Sequence, residues 1–415
     1  MAEQFVYYYN MRLAPIIIIL FATSAFAQIP TLRGPELKNY RKISKRSQKV
    51  PDNESYSTYF LANYLAEPAN TELTKVRSIY VWIAHNIIYD MKGLLAKELP
   101  DYRPKGVLIS KTAVCEGYAR LFDELCNEAG IRSEIIRGYS KGFGYNEGDI
   151  FEVSNHSWNA VYLDSNWRFI DVTWAARREN NSRLVRPFSD KYFLTPPDEF
   201  IKDHLPEIPA WQLLSSPISK QEFEENTTFI GEGAFNYQDS LEFLLEMNPG
   251  KKAISYQLKA REFNPHNDAT NYELGLEYRF RALDSLEAIY KVTEQDMERF
   301  GQLETQVFAD LNEASLYFNL IKPQSHYYER SQIFLDDTDF ERGVFNYEIS
   351  HRLLEIYATF SDDKKKVMRD KYEADIIMYY QKASQYFILI PTHSWYYDSA
   401  QDYINLYLNN PFEGY

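Results

Sequence analysis

The order in which hydrophobic patterns follow one another constrains the fold of this chain more than any other feature. Apolar residues recur at helical spacing through much of 55–129, alternate as in strands over 131–174, and return to helical spacing from about 240. A Pro-containing stretch at 195–217 separates the strands from the last helices. At 415 residues the chain also exceeds the usual size of a single core. We therefore predict an α+β domain followed by an all-helical domain. The predicted divisions are a lead segment at 28–54, the α+β domain at 55–217 and the helical domain at 218–415.

The N-terminal residues have the pattern of a secretory signal peptide. An arginine precedes a short apolar run, and the sequence AFA fits a signal-peptidase site between Ala27 and Gln28. The run is shorter than the roughly 20 residues that span a bilayer. We predict a signal peptide at 1–27, export to the periplasm or out of the cell, and no stable membrane insertion. Translation could begin at Met1 or at Met11.

Charge and residue spacing argue against several classes of protein. The formal net charge is -14 and there is no sustained basic run, whereas nucleic-acid binding needs a basic face. The histidines show no HxxxH spacing, and two cysteines cannot form a thiolate zinc site. We therefore predict no nucleic-acid partner, no metal and no cofactor.

Both cysteines of the chain lie in the stretch KTAVCEGYARLFDELC, whose apolar stripe predicts a helix that begins near Cys115. Cys126 lies 11 residues further on, which in a helix of about 1.5 Å rise per residue separates the Cα atoms by about 16 Å. A disulfide cannot bridge that distance. We predict two free thiols, with Cys126 in the core and Cys115 at the helix N-terminus, where the helix dipole stabilises a thiolate.

A histidine and an aspartate downstream of Cys115 could complete a catalytic group. Of seven histidines, only His156 lies in the strand region, at the start of a strand, and Asp171 lies at the end of the next strand. These two ends meet in an antiparallel hairpin, which would make Cys115 the nucleophile, His156 the base and Asp171 the orienting acid. The pairing register of this hairpin decides whether His156 and Asp171 meet, and the sequence leaves that register open. A two-residue turn at Ser165-Asn166 would leave Asp171 about 13 Å along the strand, so contact requires a bulge, a loop centred nearer Leu163-Asp164, or strong twist.

The helical region contains an internal repeat. EASLYFNLIKPQSHYYERS at 313–331 matches KASQYFILIPTHSWYYDS at 382–399, at an offset of 69 residues. Each copy predicts a helix that stops at a proline, followed by a tyrosine pair and another helix. The offset is close to two tetratricopeptide repeats, and we predict an array of helical hairpins. Its tyrosines could line a groove for peptide or sugar, although aromatic stripes at helical spacing mostly pack in the interior.

The motifs around the three candidate residues suggest a family. AVCEGYA, NHSWNAVYL and WRFIDVTW, preceded by the helix KVRSIYVWIAHNIIYD, resemble in order and spacing the transglutaminase-like superfamily, whose fold is related to that of papain-like thiol proteases. The resemblance covers about residues 55–215 and is closest to the bacterial branch related to kyphoscoliosis peptidase. It implies catalytic roles for Cys115, His156 and Asp171. Trp158 and Trp174 become candidate walls of the site, although packing in the core beneath the sheet is the simpler explanation.

The resulting hypothesis is an exported cysteine peptidase or amide hydrolase that forms an acyl-enzyme on Cys115. Its substrate would be a protein or peptide, with cell-wall peptide as one candidate, and the helical array would recruit or position it. Water as the second nucleophile gives hydrolysis, whereas an amine gives transamidation by the same three residues. The resemblance favours hydrolysis. A third alternative is a non-enzymatic binding or assembly module on the same fold.

Overall fold

The computed structural model describes residues 35–406, apart from a few short gaps at 97–100, 177, 181–182, 228–232, 391, 393 and 395. The predicted signal peptide at 1–27 therefore lies outside the described residues. The described chain divides into two compact units, one up to Leu241 and one from Glu242. In the described part of the chain, no helix combines the length and the hydropathy that crossing a membrane requires.

The first unit combines helices with a five-stranded antiparallel sheet. Its helices are α1 (Pro35–Ser47), α2 (Thr58–Ala66), α3 (Glu72–Asn86), α4 (Met91–Ala96), α5 (Pro104–Ser110), α6 (Cys115–Glu128), α7 (Val172–Ala175), α8 (Pro197–Phe200) and α9 (Lys220–Glu224). Its strands are β1 (Ile88–Tyr89), β2 (Thr112–Ala113), β3 (Ser133–Ser140), β4 (His156–Leu163), β5 (Asn166–Ile170), β6 (Arg178–Asn180), β7 (Arg183–Arg186), β8 (Phe193–Thr195) and β9 (His204–Pro206). The sheet has the strand order β8-β5-β4-β3-β9.

The predicted α+β fold is confirmed, and α6 is the helix that joins its helical and sheet parts. Tyr118, Phe122 and Leu125 of α6 are fully buried and belong to one core with residues of α2, α3 and β4. Asn159 of β4 donates a hydrogen bond of 3.0 Å to the carbonyl oxygen of Ala119, which fixes the helix against the middle of the sheet. The first residue of α6 therefore lies near the end of the sheet at which β4 begins.

The hairpin of β4 and β5 has a different turn from the one that left the sequence prediction open. Leu163 pairs with Asn166, so the two-residue turn is Asp164-Ser165. Both turn residues have positive φ, 50° and 63°, as a type I′ hairpin turn requires. Because Asn159 pairs with Ile170, the residue after β5, Asp171, comes to lie opposite Trp158, the residue before Asn159. The turn is one residue earlier than Ser165-Asn166, which brings Asp171 closer to the start of β4.

The second strand of the hairpin ends at Ile170, so Asp171 lies at its end as predicted, but the strand pattern that was read as far as Trp174 stops earlier. Asp171 has extended backbone and caps α7, since its Oδ1 atom accepts a hydrogen bond of 2.9 Å from the backbone N–H of Trp174. Its own backbone N–H donates to the carbonyl oxygen of Tyr192. An aspartate that satisfies a free amide of the next turn favours a helix start over a continued strand.

The compact units divide later than 218, where the sequence analysis placed the start of the helical domain. The ammonium group of Lys141 donates to the carbonyl oxygen of Phe223 at 2.6 Å, and the Phe223 ring is completely buried. The backbone N–H of Phe151 donates to Glu224 at 2.7 Å. These contacts hold α9 on the sheet domain, so the helix belongs to the first unit.

The second unit is built from long antiparallel helices. The α10 helix (Tyr237–Leu245) spans the division between the units, and α11 (Pro249–Phe263), α12 (Asp268–Tyr290), α13 (Met297–Asn319), α14 (Tyr328–Ala358), α15 (Asp362–Leu389) and α16 (Tyr397–Leu406) follow it. The α11 helix ends just before Asn264-Pro265. Helices α12 and α13 form one hairpin, and α14 and α15 form the next.

The internal repeat has a packing motif of its own. Phe318 and Phe387, 69 residues apart, are both completely buried. Each fills the space that a glycine leaves on the first helix of its hairpin, Gly275 or Gly343, where an added Cβ atom would lie 2.4 Å from the ring. One period of 69 residues is therefore a single long hairpin rather than two short repeats. Several of the tyrosines, including Tyr379 and Tyr380, pack in the interior.

Candidate active site

Cys115 is the first residue of α6, as the sequence predicts. Val114 before it is extended, so the helix begins at the cysteine, whose backbone N–H has no carbonyl group of the helix to donate to. The Cys115 side chain is partly exposed and its thiol is free. Cys126 is also free but completely buried, and burial raises the pKa of the Cys126 thiol well above its usual range. The two thiols therefore differ in access, as expected.

Glu116, directly after Cys115, fixes the start of α6 against the sheet. Its carboxylate accepts hydrogen bonds from Ser157 at 2.8 Å, from Arg120 at 2.7 Å and from Arg137 at 3.3 Å. Burial raises the pKa of Glu116, but the two arginines and Ser157 outweigh it and keep the pKa below its usual value. Because Ser157 follows His156, this carboxylate positions the helix start beside the first residue of β4.

His156 links the cysteine to the aspartate. Its Nε2 atom donates to Asp171 Oδ2 at 2.7 Å, and its side chain also forms a hydrogen bond with Cys115. Burial lowers the pKa of His156, but the charge and hydrogen bond of Asp171, together with Cys115, raise it from 6.5 to about 10. The structure thus brings the three predicted residues together. The raised pKa means that the His156 ring is positively charged at neutral pH.

Asp171 is completely buried and is held on both carboxylate oxygens. Oδ1 accepts the backbone N–H of Trp174, and Oδ2 accepts His156 at 2.7 Å and His204 at 3.0 Å. Burial raises the pKa of Asp171, but the two histidines outweigh it and lower the pKa well below its usual range. The Asp171 carboxylate is therefore ionised at neutral pH, where His156 is charged.

His204 is a member of the site that the sequence analysis missed. It lies on β9, a strand of three residues that is too short for an alternating pattern to reveal. Its Nδ1 atom lies 2.7 Å from Asp203 Oδ1, and the imidazole is completely buried. The only sequence signal is a histidine beside an acid in the Pro-rich segment, which does not distinguish it from a surface pair.

Comparison with known proteins identifies the family of the part of the chain that contains this site. Residues 59–172 match the family model described as the transglutaminase-like superfamily. The chain carries a transglutaminase-like domain. The matched segment includes Cys115, His156 and Asp171 but ends before His204.

The transglutaminase-like domain is similar to parts of larger proteins. Human kyphoscoliosis peptidase is 35% identical over 229 residues, which cover 54% of this chain and 34% of that protein. Hillarin of Drosophila melanogaster is 36% identical over 216 residues, covering 48% of this chain and 26% of hillarin. Cytokinesis protein 3 of Schizosaccharomyces pombe is 29% identical over 194 residues, which cover 44% of this chain and 20% of that protein. The chain thus spans about a third or less of each relative, and its place in a bacterial branch stays a prediction.

The two candidate wall tryptophans of the transglutaminase-like domain have different surroundings. Trp158 is 1% exposed and packs against Phe200 and His204, so it belongs to the interior. Trp174 is partly exposed, with its ring centroid 5.7 Å from that of His156. An added Cβ atom at Gly142 would lie 2.7 Å from the Trp174 ring, so this glycine lets the loop after β3 approach the site. A role as a wall stays a prediction for both, with Trp174 the better placed.

Three side chains of the transglutaminase-like domain are close enough together to hold a metal ion. The ligand atoms of His156, Asp171 and His204 all lie within 4.8 Å of one another. Hydrogen bonding accounts for this arrangement, because the Nε2 atoms of both histidines face the same carboxylate oxygen. A metal would have to displace those protons. The expectation of a metal-free site stays a prediction.

Proposed function

We propose that the transglutaminase-like domain is a thiol enzyme that cleaves peptide or amide bonds through an acyl-enzyme. The observation that carries this proposal is the continuous contact from Cys115 through His156 to Asp171. A nucleophile at a helix N-terminus, a base within hydrogen-bonding range and a buried acid that orients the base are the three parts that such catalysis requires.

In the first half of the reaction, Cys115 attacks as a thiolate while His156 holds the proton. The Sγ atom forms a bond to the substrate carbonyl carbon, and the π electrons of the carbonyl group move to its oxygen. The backbone N–H of Cys115, which is free of the helix, is one donor for this oxyanion. When the tetrahedral species collapses, the C–N bond breaks, and His156 gives its proton to the leaving amine. The acyl group remains on Sγ.

In the second half, His156 takes a proton from the incoming nucleophile. With water, the hydroxide oxygen attacks the acyl carbon, the C–S bond breaks, and the product is a carboxylic acid. With a primary amine, the same steps form a new amide, which is transamidation. Asp171 keeps the imidazole oriented in both cases. We propose hydrolysis as the main outcome, which the name of one relative, kyphoscoliosis peptidase, supports.

We also keep export and a protein or peptide substrate as proposals. The signal-peptide pattern at 1–27 supports export to the periplasm or out of the cell, where cell-wall peptide is one candidate substrate. Detecting cleavage after Ala27 by mass spectrometry of the protein recovered outside the cytoplasm would test the first. An unprocessed N-terminus in every fraction would contradict export.

Alkylation of the native full chain with iodoacetamide tests the thiol enzyme without a known substrate. We expect Cys115 to react faster in the native protein than after denaturation, because His156 and the helix start stabilise its thiolate. Cys126 serves as the internal control, since burial keeps it unreactive until the chain unfolds. Rates would be read for both cysteines by mass spectrometry. Replacement of His156 by Ala should remove the acceleration. Native labelling of Cys115 no faster than in the denatured chain would contradict the proposal.

A second assay separates hydrolysis from transamidation and from a binding module. Peptides that acylate Cys115 would be supplied with a labelled primary amine. Amine incorporation above the rate of hydrolysis would favour transamidation, and His156→Ala should abolish both. Cytokinesis protein 3 has a name that states no chemistry, and a non-enzymatic module remains the alternative. Tight peptide binding with no acyl-enzyme on a reactive Cys115 would favour that alternative.

A further inference from the structure

The buried group around Asp171 continues beyond the residues that the proposed mechanism uses. On the far side of Asp171, His204 lies between two carboxylates, with Nε2 3.0 Å from Asp171 Oδ2 and Nδ1 2.7 Å from Asp203 Oδ1. A carboxylate oxygen only accepts hydrogen bonds, so each ring nitrogen that faces one is a donor. With both nitrogens donating, the His204 ring carries two protons and a positive charge.

The fold places the two histidines side by side. In β3, Gly138 pairs with His156 of β4, and Ser140 pairs with His204 of β9. Residues two apart on a strand face the same side, so both imidazoles lie on one face of the sheet. Gly138 permits this approach, because an added Cβ atom would lie 2.2 Å from the carbonyl oxygen of Leu205. The ring centroids of the two histidines are 5.4 Å apart.

The surroundings of His204 fix its orientation. Its ring stacks on Phe200 with the centroids 4.2 Å apart, and its centroid lies 4.4 Å from that of the tilted Trp174 ring. Asp203 accepts further hydrogen bonds from Tyr192 at 2.7 Å and from Lys191 at 3.1 Å. These partners, with His204, lower the pKa of Asp203 although burial raises it. His204 is thus held by an acid that stays ionised.

We propose that His204 is a positioning residue for the proposed thiol enzyme: a buried imidazolium that shares Asp171 Oδ2 with His156 and limits how tightly Asp171 holds the His156 proton. A proton that moves to a leaving amine must not be bound too strongly. Asp171 has one negative charge, and it interacts less strongly with His156 when His204 donates to the same oxygen. Trp174 still holds the other carboxylate oxygen, so the effect of His204 is on charge more than on the orientation of Asp171.

The proposal rests on the proposed function for its purpose, but its main test needs no substrate. The titration of His156 would be followed by NMR in the full chain with labelled histidine. The titratable groups that contact the two histidines are Cys115 from α6, Asp171 before α7, Asp203 before β9 and Tyr192 before β8. Lys191 contacts Asp203 and not the histidines themselves. Replacement of His204 by Phe keeps the ring and removes both donors and the charge. His156 should then titrate on the order of one pH unit higher, since a positive neighbour is lost.

Two further variants keep the test decisive. His204→Gln removes the same positive charge but keeps a polar side chain, and it should move the His156 titration in the same direction by less. If His204→Phe does not fold, this variant decides alone. His85→Phe is the matched control, because His85 is a partly buried histidine of the same unit whose Nδ1 atom contacts the carbonyl oxygen of Val81. It should leave the His156 titration unchanged.

Activity gives a second, independent reading. In His204→Phe, release of the leaving amine at pH 7 should slow by on the order of tenfold, while alkylation of Cys115 at pH 7 should not slow. A folded His204→Phe variant whose His156 titration is unchanged or lower would overturn the role of His204. An unreactive Cys115 in a protein whose His156 titration shifts as expected would instead overturn the proposed enzyme, so the two failures are distinguishable.

Discussion

Each unit of this protein buries aspartates, but the partners of these acids differ. In the first unit, Asp171 is completely buried and accepts hydrogen bonds from two histidines. In the second, Asp310 is 1% exposed and accepts hydrogen bonds from Arg281, with 2.8 Å from its Nε atom, and from Gln306. The residue type and the burial are the same. What differs is whether the partner can release a proton.

This difference separates a reactive site from a structural contact. Histidine changes its charge near neutral pH, so a carboxylate beside it can govern a proton transfer. An arginine guanidinium stays protonated, so its pair with Asp310 can only hold α12 against α13. Burial of an acid therefore says little about function by itself. The chemistry of the partner decides whether a buried acid can take part in proton transfer, and substitutions in the two units test this.

The largest difference should appear when the same substitution is made in both units. Asp171→Asn should lower the rate of Cys115 acylation by on the order of 10⁴-fold, because the amide no longer fixes the charged imidazole. Asp310→Asn should leave that rate unchanged and lower the free energy of unfolding of the second unit by about 2 kcal/mol. Acylation kinetics and calorimetry would measure the two effects. A similar loss of acylation in both variants would show that the comparison is wrong.

A smaller effect should distinguish two glycines of the helical unit. Gly343→Ala should destabilise the second unit by about 1–3 kcal/mol, because the new Cβ atom would overlap Phe387. Gly301→Ala is the matched control in α13, where nothing lies within 4 Å of the added atom. It should stabilise the helix by about 0.5–1 kcal/mol. Urea unfolding of the full chain would read both. Equal effects at the two positions would contradict the packing role of Gly343.

A further difference between the units is in the pH dependence of stability. The pKa of His156 is raised from 6.5 to about 10, so its contribution to stability is fully present below pH 6.5 and is lost as pH rises toward 10. Burial raises the pKa of Glu341 in the second unit from 4.5 to about 7 despite its contact with Arg279. Its protonated form is favoured on folding, so stability is lost between pH 4.5 and 7. Each group contributes a slope of at most about 1.4 kcal/mol per pH unit.

Two variants assign these pH windows. His156→Gln should remove the loss between pH 6.5 and 10, and Glu341→Gln should remove part of the loss between 4.5 and 7. Asp123 of the first unit, whose pKa burial raises to about 6, contributes to the lower window as well. The quantity to compare is therefore the difference between each variant and the wild type in thermal unfolding. An unchanged upper window in His156→Gln would show that the histidine is not the group that titrates there.

The sequence predicted the local elements of the site well, because each has a local signal. The apolar stripe after Cys115 predicted α6, the alternation after His156 predicted β4, and the repeated ASxYFxLI core predicted the related hairpins of the second unit. It failed where a polar side chain ended a strand. Asp171 caps α7 and terminates the strand that was predicted to run to Trp174. Apolar alternation over so short a stretch does not distinguish a continued strand from the first turn of a helix.

The residue pattern was enough to predict the periodicity of the helices and strands and the place of Cys115 at a helix start. The fold decided that His156 meets Asp171, because a turn one residue earlier changes which residues face each other across the hairpin. It alone decided that His204 joins them, since 33 residues separate His204 from Asp171 and β9 is too short to have a pattern. Periodicity reports the neighbours along a helix or strand. Contacts between distant segments depend on turns, caps and a glycine such as Gly138 that lets two strands approach.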